Sequence, residues 1–142
     1  MCGEIDEQVL VGQDLMEHLR VIARRLDLPD DAPRGGAPRD LAEADGRAAY
    51  MEATFRAGLA HALADIARAD EAERVDALAS QAIALARLAG FLAGQLPPEA
   101  DLFRATIEAL TAGHSEPRDM ADDILRHRHD HHHHDHHHHH EH

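Results

Sequence analysis

Residues 40–68 have the sequence DLAEADGRAAYMEATFRAGLAHALADIAR. Apolar side chains recur there at steps of three or four residues, which is the spacing of one face of an α-helix. The residues predicted to form this inward face are Leu41, Ala44, Ala48, Met51, Phe55, Leu59, Leu63 and Ile66. Asp40 and Glu43 have the spacing of a capping box, which predicts that the helix begins there and continues to about Arg68.

The segment before this helix contains another helical pattern and a loop. From about Glu4 to Asp27 apolar residues again recur at helical steps, with acidic residues near the start and arginines near the end, as the helix dipole favours. The sequence from Leu28 to Arg39 holds three prolines and two glycines, which predicts a loop.

The segment after residue 68 predicts two or three further helices. Asp70 and Glu73 have capping-box spacing and predict a third helix, which Pro97 and Pro98 end. If Asp70 breaks the chain, the short connection predicts an antiparallel hairpin; one continuous helix is the alternative. A fourth helix follows Pro98, and Gly113 is predicted to end it. A last short helix is predicted from about Pro117 to Arg126.

These patterns predict an all-α fold, an antiparallel bundle of four or five helices over residues 1–126. The composition agrees: apolar residues make up 44% of the chain, mostly alanine and leucine, and aromatics only 3%. We find no stretch rich in β-branched and aromatic residues that would predict a strand.

The charge of the chain argues against two classes of partner. The formal net charge is −13, with 27 acidic residues against 14 basic ones, all of them arginine. An acidic surface without a basic stripe repels nucleic-acid phosphates, and membrane-surface binding would need a basic amphipathic face. We therefore expect neither nucleic acid nor membrane as a partner.

The N-terminal region and the cysteine content favour the cytoplasm. Cys2 is the sole cysteine, and MCGEIDEQVL lacks the basic and apolar regions of a secretory signal. The longest apolar-rich stretch, Ala82–Leu96, is interrupted by charge and glycine, and we expect it to be too short for a membrane span.

The most unusual feature is the C-terminal segment 127–142, HRHDHHHHDHHHHHEH, which holds 12 of the 15 histidines. It contains nothing that can form a core, so the sequence predicts a separate tail that is disordered without metal. The predicted metal ligands are His127, His129, Asp130, His131, His132, His133, His134, Asp135, His136, His137, His138, His139, His140, Glu141 and His142.

Imidazole chemistry indicates which ions the tail would bind. Imidazole nitrogen is a borderline ligand that suits Ni²⁺ and Zn²⁺, with Co²⁺ and Cu²⁺ as further candidates. Roughly three quarters of isolated imidazoles are neutral at pH 7 and able to ligate. A flexible chain combines its ligands in many ways, which favours exchangeable binding of about two or three ions at roughly four ligands each.

Two alternatives explain the tail without metal handling. A purification tag is usually an uninterrupted histidine run after a linker, whereas this run is broken by three acidic residues and follows DILRHRHD directly. A passive low-complexity tail is the other alternative.

The predicted helical body holds weaker candidates for a second metal site. Two pairs lie one helical turn apart: His61 with Asp65, and Asp14 with His18. A solvated or locally hydrogen-bonded surface pair is the alternative for each. His114 follows Gly113 at a predicted helix end, where a structural role fits the residue as well as metal binding does. Cys2 would chelate metal through its thiol and amine as an N-terminal residue, or be a bystander.

Motifs of catalysis are not found in the sequence. The helical body has no Glu-x-x-His pair for a di-iron bundle, and the chain has no His-Glu-x-x-His and no lysine to complete a phosphate loop. We therefore expect a metal-binding protein rather than an enzyme. The alternative is a helical interaction or regulatory module whose tail only buffers or senses metal.

The tail resembles the histidine-rich ends of nickel-handling accessory proteins, which serve the maturation of hydrogenase, urease and carbon monoxide dehydrogenase. The missing phosphate loop excludes the hydrogenase accessory GTPase, and the urease metallochaperone has a strand-rich body. The chain is most similar to the small helical nickel-binding proteins of carbon monoxide dehydrogenase maturation, over the tail and the helical class alone.

That resemblance implies metal storage or delivery by the tail histidines, a homodimer, and a metalloenzyme client or metal-insertion GTPase as partner. The family's additional site uses two histidines one turn apart. The nearest equivalent here, His61 with Asp65, departs from that pattern.

Overall fold

The computed structural model describes the backbone of residues 3–29 and 37–134, and the side chains of residues 12–29 and 37–128. In these ranges the chain forms α-helices and short 3-10 helices and no strand, which confirms the all-α prediction. The α-helices are α1 (Gly3–Arg25), α2 (Ala44–Arg68), α3 (Arg74–Ala93) and α4 (Leu102–His134), and 3-10 turns precede α3 at Glu71–Glu73 and α4 at Pro98–Ala100.

The N-terminal end of α2 is held by backbone and arginine contacts. Glu43 is the N-cap but makes no side-chain hydrogen bond to the helix, so the capping box predicted with Asp40 is wrong. Instead the Glu43 N–H donates to the Asp40 carbonyl at 3.1 Å. The Arg47 guanidinium donates to the carbonyl oxygens of Leu41 and Ala42, both at 3.0 Å. A side chain from α2 thus satisfies two carbonyl groups of the turn that precedes this helix.

The chain breaks between α2 and α3 at Ala69 and Asp70, whose ψ angles are 150° and 143°. The Ala69 N–H still donates to the Asp65 and Ile66 carbonyls, at 3.1 and 3.2 Å, and completes the last turn of α2. The two helices are therefore separate, and the continuous alternative is wrong. The second capping box is also wrong: Asp70 makes no side-chain cap, and its carbonyl accepts from the Glu73 N–H at 2.8 Å.

The connection between α3 and α4 follows the two prolines. Pro97 is extended, and Pro98 occupies the first turn of the 3-10 helix, where its missing N–H costs no hydrogen bond. Asp101 then adopts a left-handed conformation with φ 54°, and its N–H donates to the Pro98 carbonyl at 3.1 Å. The prediction that Pro97 and Pro98 lie between two helices is confirmed.

Helix α4 is longer than the sequence predicts. It includes Gly113 and Pro117 without interruption, so the predicted stop at Gly113 and the separate helix Pro117–Arg126 are wrong. Pro117 lacks the N–H that would donate to the Gly113 carbonyl, which removes one bond of the ladder. The residues on both sides keep their own bonds, and helix formation propagates once a long helix is nucleated.

The same helix extends into the histidine-rich segment. The sequence predicts disorder from His127 onward, whereas α4 continues through His134, the next two turns of the helix. Histidine is an ordinary helix residue, costing under about 0.7 kcal/mol relative to alanine, so no residue here terminates the helix. The calls on Asp135, His136, His137, His138, His139, His140, Glu141 and His142 lie outside the described residues.

The chain divides into two units, residues 1–78 and 79–142, with the boundary inside α3. In the first unit no described side chain is fully buried. Half-buried residues there include Leu15, Leu19 and Ile22 on α1 and Ala62 and Ile66 near the end of α2.

In the second unit burial is concentrated beside the α3–α4 connection. Ala93, 6% exposed, is the one fully buried residue that the structure describes. Ala89 and Gly90 before it, and Leu102 and Thr106 after the connection, are half-buried.

Most of the predicted inward faces are exposed. Twenty-four large apolar side chains in the described ranges are at least 40% exposed, among them Phe55 at 50% and Leu85 at 52%. The helical periodicity of the sequence is therefore confirmed at the level of elements, while the bundle that would cover these faces stays a prediction.

One described segment, Glu71–Ala93, is long and apolar enough to cross a membrane by length and composition. Its mean hydropathy over the best window is 1.4, and none of that window is buried in the protein. By length and composition, the expectation that this region is too short to span a membrane therefore does not hold. Core helices of soluble proteins meet the same two criteria. The cytoplasmic location and the absence of a membrane partner stay predictions.

Candidate metal-binding segment

The structure places the start of the histidine-rich tail on the last turns of α4. The backbone of residues 127–134 is helical, so ligand-type residues three or four positions apart share a face. His127 is exposed, and the side chains beyond Arg128 are outside the described set. The helix therefore orders the first eight tail residues into faces, where the sequence alone predicts no order.

Carboxylates precede these histidines on the same face of α4. Steps of three and four residues connect Glu116, Asp119, Asp123 and His127, and all four are exposed. Sequence reasoning missed the carboxylates because it ended one helix at Gly113 and the next at Arg126. The spacing of the acidic residues, continued into the histidines, is the pattern that would have revealed them.

Asp123 has one described ion-pair partner, and that pair is weak. The Arg126 Nη1 atom lies 3.9 Å from the Asp123 carboxylate, and both side chains are more than 70% exposed. Exposed pairs of this kind contribute about 0–1 kcal/mol, so Arg126 does not hold Asp123 away from a cation.

His61 and Asp65 on α2 form a close pair on the surface of the helix. The His61 Nε2 atom lies 3.5 Å from an Asp65 carboxylate oxygen, and the other oxygen accepts from Arg68. His61 is 79% exposed. Because a guanidinium already occupies Asp65, the arrangement matches the surface-pair alternative better than half of a metal site.

The other body candidates are not brought together in the described ranges. Asp14 and His18 are both exposed on α1, and no ion pair joins them among the side chains that the structure describes. His114 lies inside α4 and is exposed, so its predicted place at a helix end is wrong. Cys2 lies outside the described residues.

No group of three or more His, Cys, Asp or Glu side chains close enough to hold an ion is found in residues 12–29 and 37–128. The carboxylates named above are thus spread along the helix rather than gathered at one point. A groove on α1, lined by Gly12, Gln13, Met16, Glu17 and Arg20, is open and formed by a single helix, so it does not enclose a substrate.

Comparisons with known proteins return no relative: no family model matches the chain, and neither a curated protein nor a solved structure is significantly similar to it.

Proposed function

We propose that the protein binds, stores or delivers divalent transition-metal ions, Ni²⁺ or Zn²⁺ first, through the histidine-rich residues 127–142. The observation that carries the proposal is the density of ligands, 12 histidines and three carboxylates among 16 residues. Neutral imidazoles bind borderline d-block cations, and the acidic residues supply hard ligands and offset the bound charge. Co²⁺ and Cu²⁺ fit the same ligand set.

The binding would be exchangeable. Many near-equivalent ligands give capacity rather than one rigid geometry. Protonated imidazole cannot ligate, so acidification would release the ions. Such properties suit a protein that passes metal to a metalloenzyme client or a metal-insertion GTPase in the cytoplasm, without catalysing a reaction itself.

Calorimetric titration with Ni²⁺ and with Zn²⁺ tests this function. We expect about two or three ions per full chain, at roughly four ligands each, and a stoichiometry near zero for a chain ending at Arg126. The variant His18→Asn, His61→Asn, His114→Asn keeps the tail and serves as the matched control, with unchanged stoichiometry. Equal stoichiometry with and without the tail would refute the function.

The exposed apolar faces favour a second candidate, a helical interaction or regulatory module whose tail only buffers or senses metal. Phe55 and Leu85 are examples of large side chains that a partner surface would cover. Partner capture by the full chain and by the chain ending at Arg126, each with and without Ni²⁺, separates the two functions. Capture that depends on neither metal nor tail supports the module.

The same faces support the finer architecture that we propose for the assembled protein. Pairing the apolar stripes of the helices would give an antiparallel bundle, and a homodimer is compatible with the alanine-rich faces. In this assembly residues 1–126 would form the body, and residues 127–142 would carry the metal.

A further inference from the structure

The observation that leads beyond a disordered tail is the extent of α4. This helix continues through His134 and so fixes the register of six histidines and one aspartate. In an α-helix the residues at i, i+3, i+4 and i+7 lie on one face, whereas neighbours in sequence do not. The register therefore divides the tail's first histidines between faces.

Two faces result. The first, which we call the acidic face, continues the line of Glu116, Asp119 and Asp123 and contains His127, Asp130, His131 and His134 at i, i+3, i+4 and i+7. The second, the histidine face, contains His129, His132 and His133 at i, i+3 and i+4.

We propose that the last two turns of α4 hold two divalent transition-metal ions, one on the acidic face and one on the histidine face. Two histidines four residues apart on a helix are a known way to bind Zn²⁺. Each face offers such a pair, His127 with His131 and His129 with His133. The proposal deepens the proposed function and rests on it, because it assigns particular ligands to ions that the tail would bind in any case.

Binding would also stabilise the helix. An ion that bridges residues four apart binds the helical state better than the disordered state, so it adds its binding free energy to helix formation. Metal and helix content of residues 127–134 should therefore rise together. A disordered tail would bind the same ions with no preference for helical spacing.

The acidic and histidine faces differ in electrostatics as well as in ligands. Asp123 lies one turn before His127, and its carboxylate is 71% exposed and only weakly paired with Arg126. The negative charge of Asp123 favours a cation on the acidic face. We therefore expect the acidic face to bind its ion first.

The first experiment breaks the helix without removing a ligand. In a full-length background with Asn in place of each of His136–His140 and His142, Arg128→Pro is compared with Arg128→Ala. Proline inside a helix costs about 3 kcal/mol, and only six described residues of α4 follow position 128, against 17 after Pro117, so less helix remains there to offset the cost. Both variants remove the same charge. Because the residue before a proline is disfavoured in the helical conformation, we expect Arg128→Pro to weaken the Ni²⁺ ion of the His127 and His131 pair at least about tenfold relative to Arg128→Ala, and to reduce the metal-dependent gain of helix signal in circular dichroism.

The second experiment compares two double variants in the same background, each removing two of the six histidines that remain in the tail. His127→Asn with His131→Asn removes both members of one pair, so we expect one ion to be lost and the other to bind as before. His127→Asn with His129→Asn takes one ligand from each face, so we expect both ions to bind more weakly.

A disordered tail predicts that the two double variants bind alike and that the proline and alanine variants have equal affinity. Either result would overturn the helical sites while the tail's metal binding stands. The proposed function would instead be refuted if the full chain and the chain ending at Arg126 bound the same number of metal ions in the calorimetric titration.

Discussion

At the scale of single residues, the close approach of Gly46 to Asp40 shapes the start of α2. A Cβ atom on Gly46 would lie 2.1 Å from the Asp40 carbonyl oxygen, well inside contact distance. Asp40 itself has φ 56°, a left-handed conformation that few non-glycine residues adopt. The turn at residues 40–46 therefore requires glycine at one end and tolerates a strained aspartate at the other.

This geometry makes Gly46→Ala destabilising, because the added methyl group forces the backbone of the turn apart. We expect a loss of about 1–3 kcal/mol in the free energy of unfolding, measured by urea denaturation followed by circular dichroism. Gly58→Ala is the matched control on the same helix, since nothing lies within 4 Å of its added Cβ. It should stabilise α2 by roughly 0.5–1 kcal/mol, and equal effects at the two glycines would contradict the close approach.

At the scale of elements, α4 shows which helix ends a sequence can indicate. The breaks at Asp70 and at Pro97–Pro98 were predictable, because each combines a residue that favours a turn with acidic residues that begin the next helix. Gly113 and Pro117 misled in the opposite direction. Each disfavours a helix singly, by about 1 and 3 kcal/mol, but the residues around them propagate the helix across both.

Pro117→Ala should therefore strengthen α4. The substitution restores the N–H that can donate to the Gly113 carbonyl and removes the ring's clash, so we expect an increase in helix stability of up to about 3 kcal/mol. The measurement is the thermal midpoint of the helix signal. Pro98→Ala, in the 3-10 turn where the missing N–H costs nothing, should change it little. If both alanines behave alike, α4 is not continuous at Pro117.

The site was only partly predictable for a related reason. Histidine density predicts that residues 127–142 are metal ligands, because composition alone indicates that chemistry, and this stays a prediction. The division of His127 and His129 between two faces depends on a helix boundary, and sequence patterns locate boundaries poorly where no apolar stripe continues. The capping boxes failed likewise: Asp40 and Asp70 offer backbone carbonyls, and side-chain geometry cannot be read from spacing.

At the scale of the whole molecule, the exposed apolar side chains are the main feature that the sequence did not predict. Periodicity predicts apolar faces that a bundle covers, whereas most of their large side chains are exposed in the described ranges. On α3 the line Leu78, Leu85 and Leu92 repeats every seven residues, and these side chains are 57%, 52% and 53% exposed. A stripe with this period is typical of a helix that packs along another helix.

Leu85→Asn tests whether that line is covered in the assembled protein. We expect it to lower the thermal midpoint of unfolding, because burying an amide without a partner costs about 1–3 kcal/mol. Ile83→Asn is the matched control, since Ile83 is 73% exposed and lies off the line. A midpoint that also rises with protein concentration would support the homodimer. Equal effects of the two substitutions would contradict helix packing along this line.

The length of α4 has an electrical consequence. At 1.5 Å per residue, His127 lies about 37 Å along the helix axis from Leu102, which is more than four times the ionic screening distance of about 8 Å at physiological salt. If the far end binds metal as we propose, the added charge would therefore change the electrostatic potential little at Leu102, where this helix begins. Metal bound at this end would instead affect the rest of α4 through the stability of the helix, which ionic screening does not limit.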